Sequence, residues 1–262
     1  MKSSKGVVYK RQQYILSRLK EKRTVRVEEL ARELQVSSVT IRRDLQEFEV
    51  QGLVSRFHGG ASLRDGALKD DPSLVEEGTV LHLAEKSAIA RHAASLVEEG
   101  DTIFMNSSST CLMMLEYIKN KHVVVVTNNG KAVMVPRNPG VELILTGGEV
   151  YERKISMVGE VASKTLSRMT ASKCFIGVGG ISAQHGLTTS TLQETAINEL
   201  MIKRCSGGCY VLADSSKLGR ENNFFSAPID WVSALITDTA ASPSEVEQIR
   251  KLDVDVILVS PL

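Results

Sequence analysis

Two adjacent arginines, Arg42 and Arg43, stand in the run SSVTIRRDL, residues 37–45. A guanidinium donates hydrogen bonds as a planar fork, which suits phosphate oxygens and the O6/N7 edge of guanine. Ser37, Ser38, Val39 and Thr40 immediately precede the pair, and Arg56 and His58 follow in LVSRFHGGASL. Such a set fits contact with a polyanion. A solvated basic surface is the plainer reading, and His58 alone is more often an ordinary surface imidazole. A second set follows apolar runs further along the chain. Asn106, Ser107, Ser108, Ser109 and Thr110 come directly after TIFM. Small hydroxyl residues at a helix start can hold phosphate through their side chains, the free backbone N–H groups and the helix dipole. They can equally be a plain cap with turn serines. Asn128, Gly147, Gly148, Gly179, Gly180, Asp214 and Lys217 each lie just past another apolar run. One glycine pair means a turn, but several small, polar exits along one sheet edge make a ligand pocket.

Other chemistry is poorly supported. Asp214, Asp238 and Glu149 are carboxylates at strand exits, with Lys217 as a cation. General acid–base catalysis needs a positioned base and groups that stabilise a developing oxyanion. No cluster of closely spaced carboxylates marks such a centre, so no catalytic residue is assigned. Cys111, Cys174, Cys205 and Cys209 lack paired metal-type spacing and read as structural thiols in a reducing cytoplasm. No metal site and no cofactor are expected. No apolar run approaches the roughly 20 residues that span a bilayer, and no secretory signal is evident, so no membrane partner is expected.

These residues must be positioned by folded elements. The chain has 262 residues, 42% hydrophobic and 24% charged, ordinary for a soluble globular protein. Its net charge of +1 conceals an asymmetry: residues 1–64 hold 14 Lys and Arg against seven acids, and the remainder is net acidic. That pattern suggests a polyanion-binding head on a body with a different task. Within the head, Tyr14, Ile15, Leu16 and Leu19 lie in one helical pattern, and Val27, Leu30, Ala31 and Leu34 form a second stripe. After a break at Val36-Ser37, where Ser37 or Ser38 can cap, a third helix runs toward Gly52. At about 100° per residue, Ile41, Leu45 and Phe48 share its inner face, Arg43 points almost opposite, and Arg42 lies to one side. Two short helices joined by a tight turn make a helix-turn-helix, whose second helix enters the major groove. The segment after Gly52 reads as strand, glycine turn and strand, a basic wing carrying Arg56 and His58.

SLRDGALKDDPSLVEEGTV is polar and without period, a linker. Beyond it, helical and strand-like segments alternate. TIFM, VVVVT, VELILT, KCFIGV, CYVLAD, VSALIT and DVILV are short apolar strands, and AEKSAIARHAASLVEEG is a helix ending at Gly100. Alternation of this kind predicts a mostly parallel sheet, with ligands beyond the carboxyl ends of its strands. The fold class is therefore α+β overall: a small winged helix-turn-helix domain (8–63, the helix-turn-helix about 25–44), a linker (64–80) and a larger α/β domain (81–262).

RTVRVEELARELQVSSVTIRRDLQEFEVQGLVSRFHGGA resembles the N-terminal winged helix-turn-helix of DeoR-type bacterial transcriptional regulators. Residues 80–238 resemble the C-terminal domain of the same family through EKSAIA, DTIFMNSSST, VVTNN, LTGG, FIGVGGI with GLTT, and LADSSKLG. The resemblance implies binding to double-stranded operator DNA, usually to repress a carbohydrate operon. It also implies a sensor related in fold to sugar-phosphate isomerases that takes a phosphorylated sugar or related metabolite. Phosphate contacts fall to Ser107–Thr110, polar contacts to Asn128, and the role of a cation near phosphate or a substrate oxygen to Lys217. Asp214 either orients Lys217 or a sugar hydroxyl, or is a structural strand-end residue. Glu194, at a helix start, can simply favour the dipole. The chain departs from the family at Asn106, where relatives often carry aspartate, and near Asn198, where they often carry lysine. One winged helix-turn-helix offers little surface for a specific site, so a homo-oligomer reading paired half-sites is expected. An isomerase-like enzyme with an appended DNA-binding domain is the alternative.

Overall fold

The computed structural model describes residues 5–50, 54–57, 59–63 and 82–261. Gly52, His58 and the expected linker lie outside these described residues. The chain divides into two compact units, residues 1–81 and 82–262.

In the first unit, α1 (Lys5–Lys22), β1 (Thr24–Arg26), α2 (Val27–Glu33) and α3 (Ser38–Val50) are followed by β2 (Val54–Phe57) and β3 (Gly60–Leu63). The three apolar stripes meet in one core: Ile15, Leu16 and Leu19 from α1, Leu30 from α2, and Ile41, Leu45 and Phe48 from α3. The strand β1 was not anticipated from the sequence. Three residues are too short to show a period, yet β1 pairs antiparallel with β3, and β3 with β2. The wing is thus a three-stranded sheet, with Val25 buried in the core.

The second unit runs α4 (Leu83–Ser95), β4 (Thr102–Met105), α5 (Ser109–Tyr117), β5 (Val123–Thr127), β6 (Val141–Leu145), β7 (Glu149–Tyr151), β8 (Ser156–Val158) and α6 (Gly159–Ser167). It continues with β9 (Ala171–Gly177), β10 (Gly180–Ser182), β11 (Gly186–Thr189), α7 (Leu192–Lys203), β12 (Cys205–Leu212), β13 (Phe224–Ala227), β14 (Ala234–Asp238), α8 (Pro243–Arg250) and β15 (Asp255–Val259). Seven strands in the order β15-β14-β12-β9-β4-β5-β6 form one sheet, and every pairing in it is parallel. These are the seven apolar runs of the sequence. Both faces are covered: Ile103 and Met105 point into one core cluster and Phe104 into the other. A strand buried on both sides reads as continuous apolar sequence, as these do.

Two smaller antiparallel sheets, β7-β8 and β10-β11-β13, were not anticipated from the sequence; their strands are three or four residues long. The helix α4 stops at Ser95 rather than at Gly100. Leu96 and Val97 turn back to the carbonyls of Ala93 and Ala94, and Asp101 Oδ2 accepts from Glu98 N at 2.7 Å. That carboxylate draws the chain into a turn before β4.

The order of strands reverses between β4 and β9: from β4 the chain proceeds outward through β5 and β6, from β9 outward through β12, β14 and β15. A crevice at the carboxyl ends of such a pair is where open α/β sheets place ligands.

Candidate functional sites

The helix α3 carries a stripe that faces solvent. Val39, Arg42, Arg43 and Gln46 are all exposed, at the i, i+3, i+4, i+7 spacing of one helix face. Val39 is 69% exposed, an unburied apolar side chain among polar ones. Ser37 is the cap: its Oγ accepts from Thr40 N at 3.2 Å and lies 2.9 Å from Thr40 Oγ1, while its carbonyl accepts from Thr40 N and Ile41 N. Ser38 and Thr40 are half-buried beside it. Arg56 on β2 is exposed, with Nη1 3.5 Å from Glu49 Oε2.

One residue of the motif has a role the sequence did not disclose. Asp44, next to Arg43, faces inward, only 2% exposed, and takes a fork of two bonds from Arg11 of α1: Nε–Oδ2 at 2.5 Å and Nη2–Oδ1 at 3.0 Å. The Asp44 bond holds the Arg11 guanidinium above its ordinary pKa against the opposing effect of burial. This pair ties α3 to α1 on the inner side that also carries Ile41, Leu45 and Phe48, while Arg42 and Arg43 are exposed. In the run RRDL, an acid on the inner side of a helix was the available signal.

At the reversal point of the large sheet, Asn106 spans the β4–β9 crevice. Its Nδ2 donates to Gly177 O at 2.8 Å, and its Oδ1 accepts from Gly177 N at 3.0 Å and Ser108 N at 3.3 Å. The same Nδ2 donates to Asn198 Oδ1 on α7 at 3.0 Å. Asn106 and Asn198 are therefore partners, a neutral amide pair. Gly177 is required by packing: a Cβ there would stand 1.9 Å from Ser108 Oγ.

Ser108 is the N-cap of α5, its Oγ accepting from Thr110 N (3.1 Å) and Cys111 N (3.4 Å). Much of the N–H array anticipated for phosphate is thereby engaged internally. Ser107 is buried and donates to Glu194 Oε1 at 2.6 Å, while Ser109 is half-buried and Thr110 buried. Glu194 Oε2 in turn lies 2.6 Å from Lys154 Nζ, in the loop between β7 and β8. Cys111 lies against Asn106 Oδ1 and Phe175 O at 3.4 Å, and burial pushes its thiol up to about 12, which makes it a packing residue.

The remaining nominated residues divide. Asn128 is fully buried and bonds to the β7–β8 hairpin through Nδ2–Met157 O at 3.1 Å. Its neighbour Asn129, not nominated, donates to Ser107 O at 3.1 Å and so ties β5 to the serine loop. Gly147 and Gly148 turn the chain into that hairpin at φ +68° and +112°. Gly179 and Gly180 open β10, where the 219–222 segment packs so closely that a Cβ on Gly180 would meet Arg220 O at 2.1 Å. Asp214 spends its carboxylate on Ser216, N and Oγ, and Asp238 Oδ1 accepts from Ser215 N at 2.6 Å. Both are turn-forming acids, and Glu149 is exposed on β7. Lys217 is half-buried in the same turn and has no ion pair among the described residues. Its turn follows β12, two strands from β4, hence about 10 Å from the serine loop in the plane of the sheet. A cleft of about 440 Å³ opens elsewhere, on the small antiparallel sheet, lined by His185, Thr188, Glu221, Asn222 and Phe225 among others. None of the nominated residues lines it. Among the described residues no three or more His, Cys, Asp or Glu gather to hold a metal ion. No described helix is long and apolar enough to cross a membrane.

A capped helix-turn-helix with a wing, followed by a parallel α/β unit with a polar crevice at its reversal point, defines the class: a DNA-reading module joined to a sensor. Comparison with known proteins agrees. The model of the DeoR-like helix-turn-helix domain matches residues 11–66, and that of the DeoR C terminal sensor domain matches residues 81–239. An uncharacterized HTH-type transcriptional regulator of Bacillus subtilis, YulB, is 32% identical over 97% of both chains. Lactose phosphotransferase system repressors from Streptococcus mutans (35% identical, 82% of this chain and 86% of that one) and Lactococcus lactis (31%, 91% and 94%) are also similar. The chain belongs to the DeoR family of transcriptional regulators.

Proposed function

We propose that this protein represses a carbohydrate-utilisation operon and that a phosphorylated sugar or related metabolite controls its grip on operator DNA. The observation that carries the reading is the exposed stripe Val39–Arg42–Arg43–Gln46 on a capped helix, tied to α1 by the buried Arg11–Asp44 pair. Ser37, Ser38, Val39, Thr40, Arg42 and Arg43 contact the major groove, and Arg56 and His58 meet the sugar-phosphate backbone from the wing. The family and the lactose-system repressors similar to it support the carbohydrate setting. The effector enters the β4–β9 crevice, with Ser107–Thr110 nearest its anionic group and Lys217 near that group or another oxygen of the effector. The protein acts in the cytoplasm as a homo-oligomer. An effector that prefers a conformation with misplaced heads weakens DNA binding by the coupling energy, about 1–3 kcal/mol, or roughly 5–150-fold.

The test is salt-dependent binding of the full chain to the DNA upstream of its own gene, repeated with a panel of sugar phosphates. Sequence-specific binding that one sugar phosphate shifts is the expected result, and Lys217→Ala should abolish that shift while leaving ligand-free DNA binding intact. Binding blind to sequence and to every metabolite would overturn the reading, and turnover of a sugar phosphate would establish the enzyme alternative.

A further inference from the structure

The buried carboxylate of Glu194 has an unusual pair of partners. It is 3% exposed, yet one oxygen receives the Ser107 hydroxyl at 2.6 Å and the other the Lys154 ammonium at 2.6 Å. These donors come from two separate segments: the serine loop after β4 and the β7–β8 hairpin. A hydroxyl and an ammonium converging on one buried anion is the donor set a phosphate or carboxylate ligand needs. The helix end beside it cannot supply that set alone, since Ser108 Oγ takes Thr110 N and Cys111 N, and Asn106 Oδ1 takes Ser108 N. The hairpin is also braced so that Lys154 is aimed rather than free. Ile155 O accepts from Gly130 N at 2.8 Å, and Met157 N donates to Asn128 O at 2.7 Å. Two fully buried polar atoms on these same segments, Asn128 Oδ1 and Ser156 Oγ, have no hydrogen-bond partner among the described residues. Buried polar atoms of this kind call for a water or ligand atom. Lys154 itself keeps about a quarter of its side chain in solvent.

We propose that Lys154 is a ligand-binding residue and that Glu194 is an internal stand-in for the ligand's anionic group. An incoming phosphate takes the Lys154 ammonium and the Ser107 hydroxyl from Glu194, whose side chain withdraws. The inference deepens the proposed sugar-phosphate reading and rests on it. It makes Glu194 a competitor of the ligand, so removing its charge should help binding.

The experiment is calorimetric titration of the full chain with inorganic phosphate, with sodium chloride at matched ionic strength as the blank. Glu194→Gln should bind phosphate about tenfold more tightly than the unaltered chain, and Lys154→Gln about tenfold more weakly, the scale of one charged hydrogen bond. Lys154→Arg should retain most of the affinity. Thermal midpoints without phosphate report any loss of fold; a merely structural ion pair would lower both midpoints and could not move the two affinities in opposite directions. If the unaltered chain binds phosphate but both glutamine variants stay within twofold of it, the proposal fails and the sugar-phosphate reading stands. Weakening in Glu194→Gln as well as Lys154→Gln would mean that Glu194 holds the ligand directly, which also overturns the stand-in. Absence of phosphate binding by the unaltered chain would overturn the stand-in, while the sugar-phosphate reading is decided by its own test with DNA and the panel of sugar phosphates.

Discussion

The two units handle their polar side chains in opposite ways. In the head, Val39, Arg42, Arg43 and Arg56 project into solvent, and a separate buried pair, Arg11–Asp44, ties the helix of the first three to α1. In the larger unit, the residues at the β4–β9 crevice bond chiefly to one another: Asn106 to Gly177 and Asn198, Ser107 to Glu194, Ser108 to its own helix. Apart from the capping Ser37, reading and support are divided between residues in the first case and combined in the second. A reader of DNA meets a large, rigid polyanion outside itself, so its contacts can wait in water. A small ligand must be enclosed, and enclosed polar groups need partners while the site is empty.

The sharpest way to break this contrast is Asp44→Ala. It leaves the Arg11 guanidinium buried without its counter-ion, and should cost the head about 3–5 kcal/mol in denaturant unfolding. A loss below about 1 kcal/mol would show that Arg11 escapes to solvent and that α3 is held by its apolar face alone. Next comes Asn106→Asp, which removes the donor to Gly177 O and Asn198 Oδ1 and faces both oxygens with a carboxylate. About 3 kcal/mol of destabilisation is expected, and Asn198→Lys added to it should recover most of the loss by supplying a donor and a charge. If the double variant is no better than the single one, the two positions are not coupled as their 3.0 Å contact implies.

Arg43→Ala tests the other side of the contrast. Operator affinity should fall by about 1–3 kcal/mol if Arg43 reads a base, with an unchanged unfolding midpoint. An equal loss of stability would show that reading and support are joined in the head as well. The smallest effect belongs to Ser37→Ala, where loss of the cap should destabilise by about 1 kcal/mol. A measured change near zero would move the capping role to Ser38.

Periodicity made the head legible because Ile41, Leu45 and Phe48 recur at the helix period, and an amphipathic helix states its outer face by default. The seven parallel strands were equally plain as short apolar runs punctuated by glycine and polar residues. What stayed hidden were contacts between residues far apart in the chain. Nothing near Lys154 in YERKISM announces a partner 40 residues on, and LQETAINEL gives no hint that Glu194 and Asn198 turn toward the serine loop. Nor could spacing tell that Ser108 satisfies the helix it begins, because an N-cap and a phosphate cradle use the same residue types. Asp214 shows the same ambiguity: its carboxylate accepts from Ser216 in a turn, where a strand-end structural acid and a ligand-orienting one look alike in sequence.

The strand order also bears on how the molecule is made. A nascent chain that ends before Ala171 already holds β4, β5 and β6, which can pair in sequence, but β4 still lacks β9. The strand destined for the middle of the sheet is then an open apolar edge with unmatched backbone groups, a template for pairing with other chains. Synthesis must pass the whole β7–β8 hairpin and α6 before that edge can close. While that edge is open the growing polypeptide can pair wrongly, and a stall there would leave a fragment prone to aggregate.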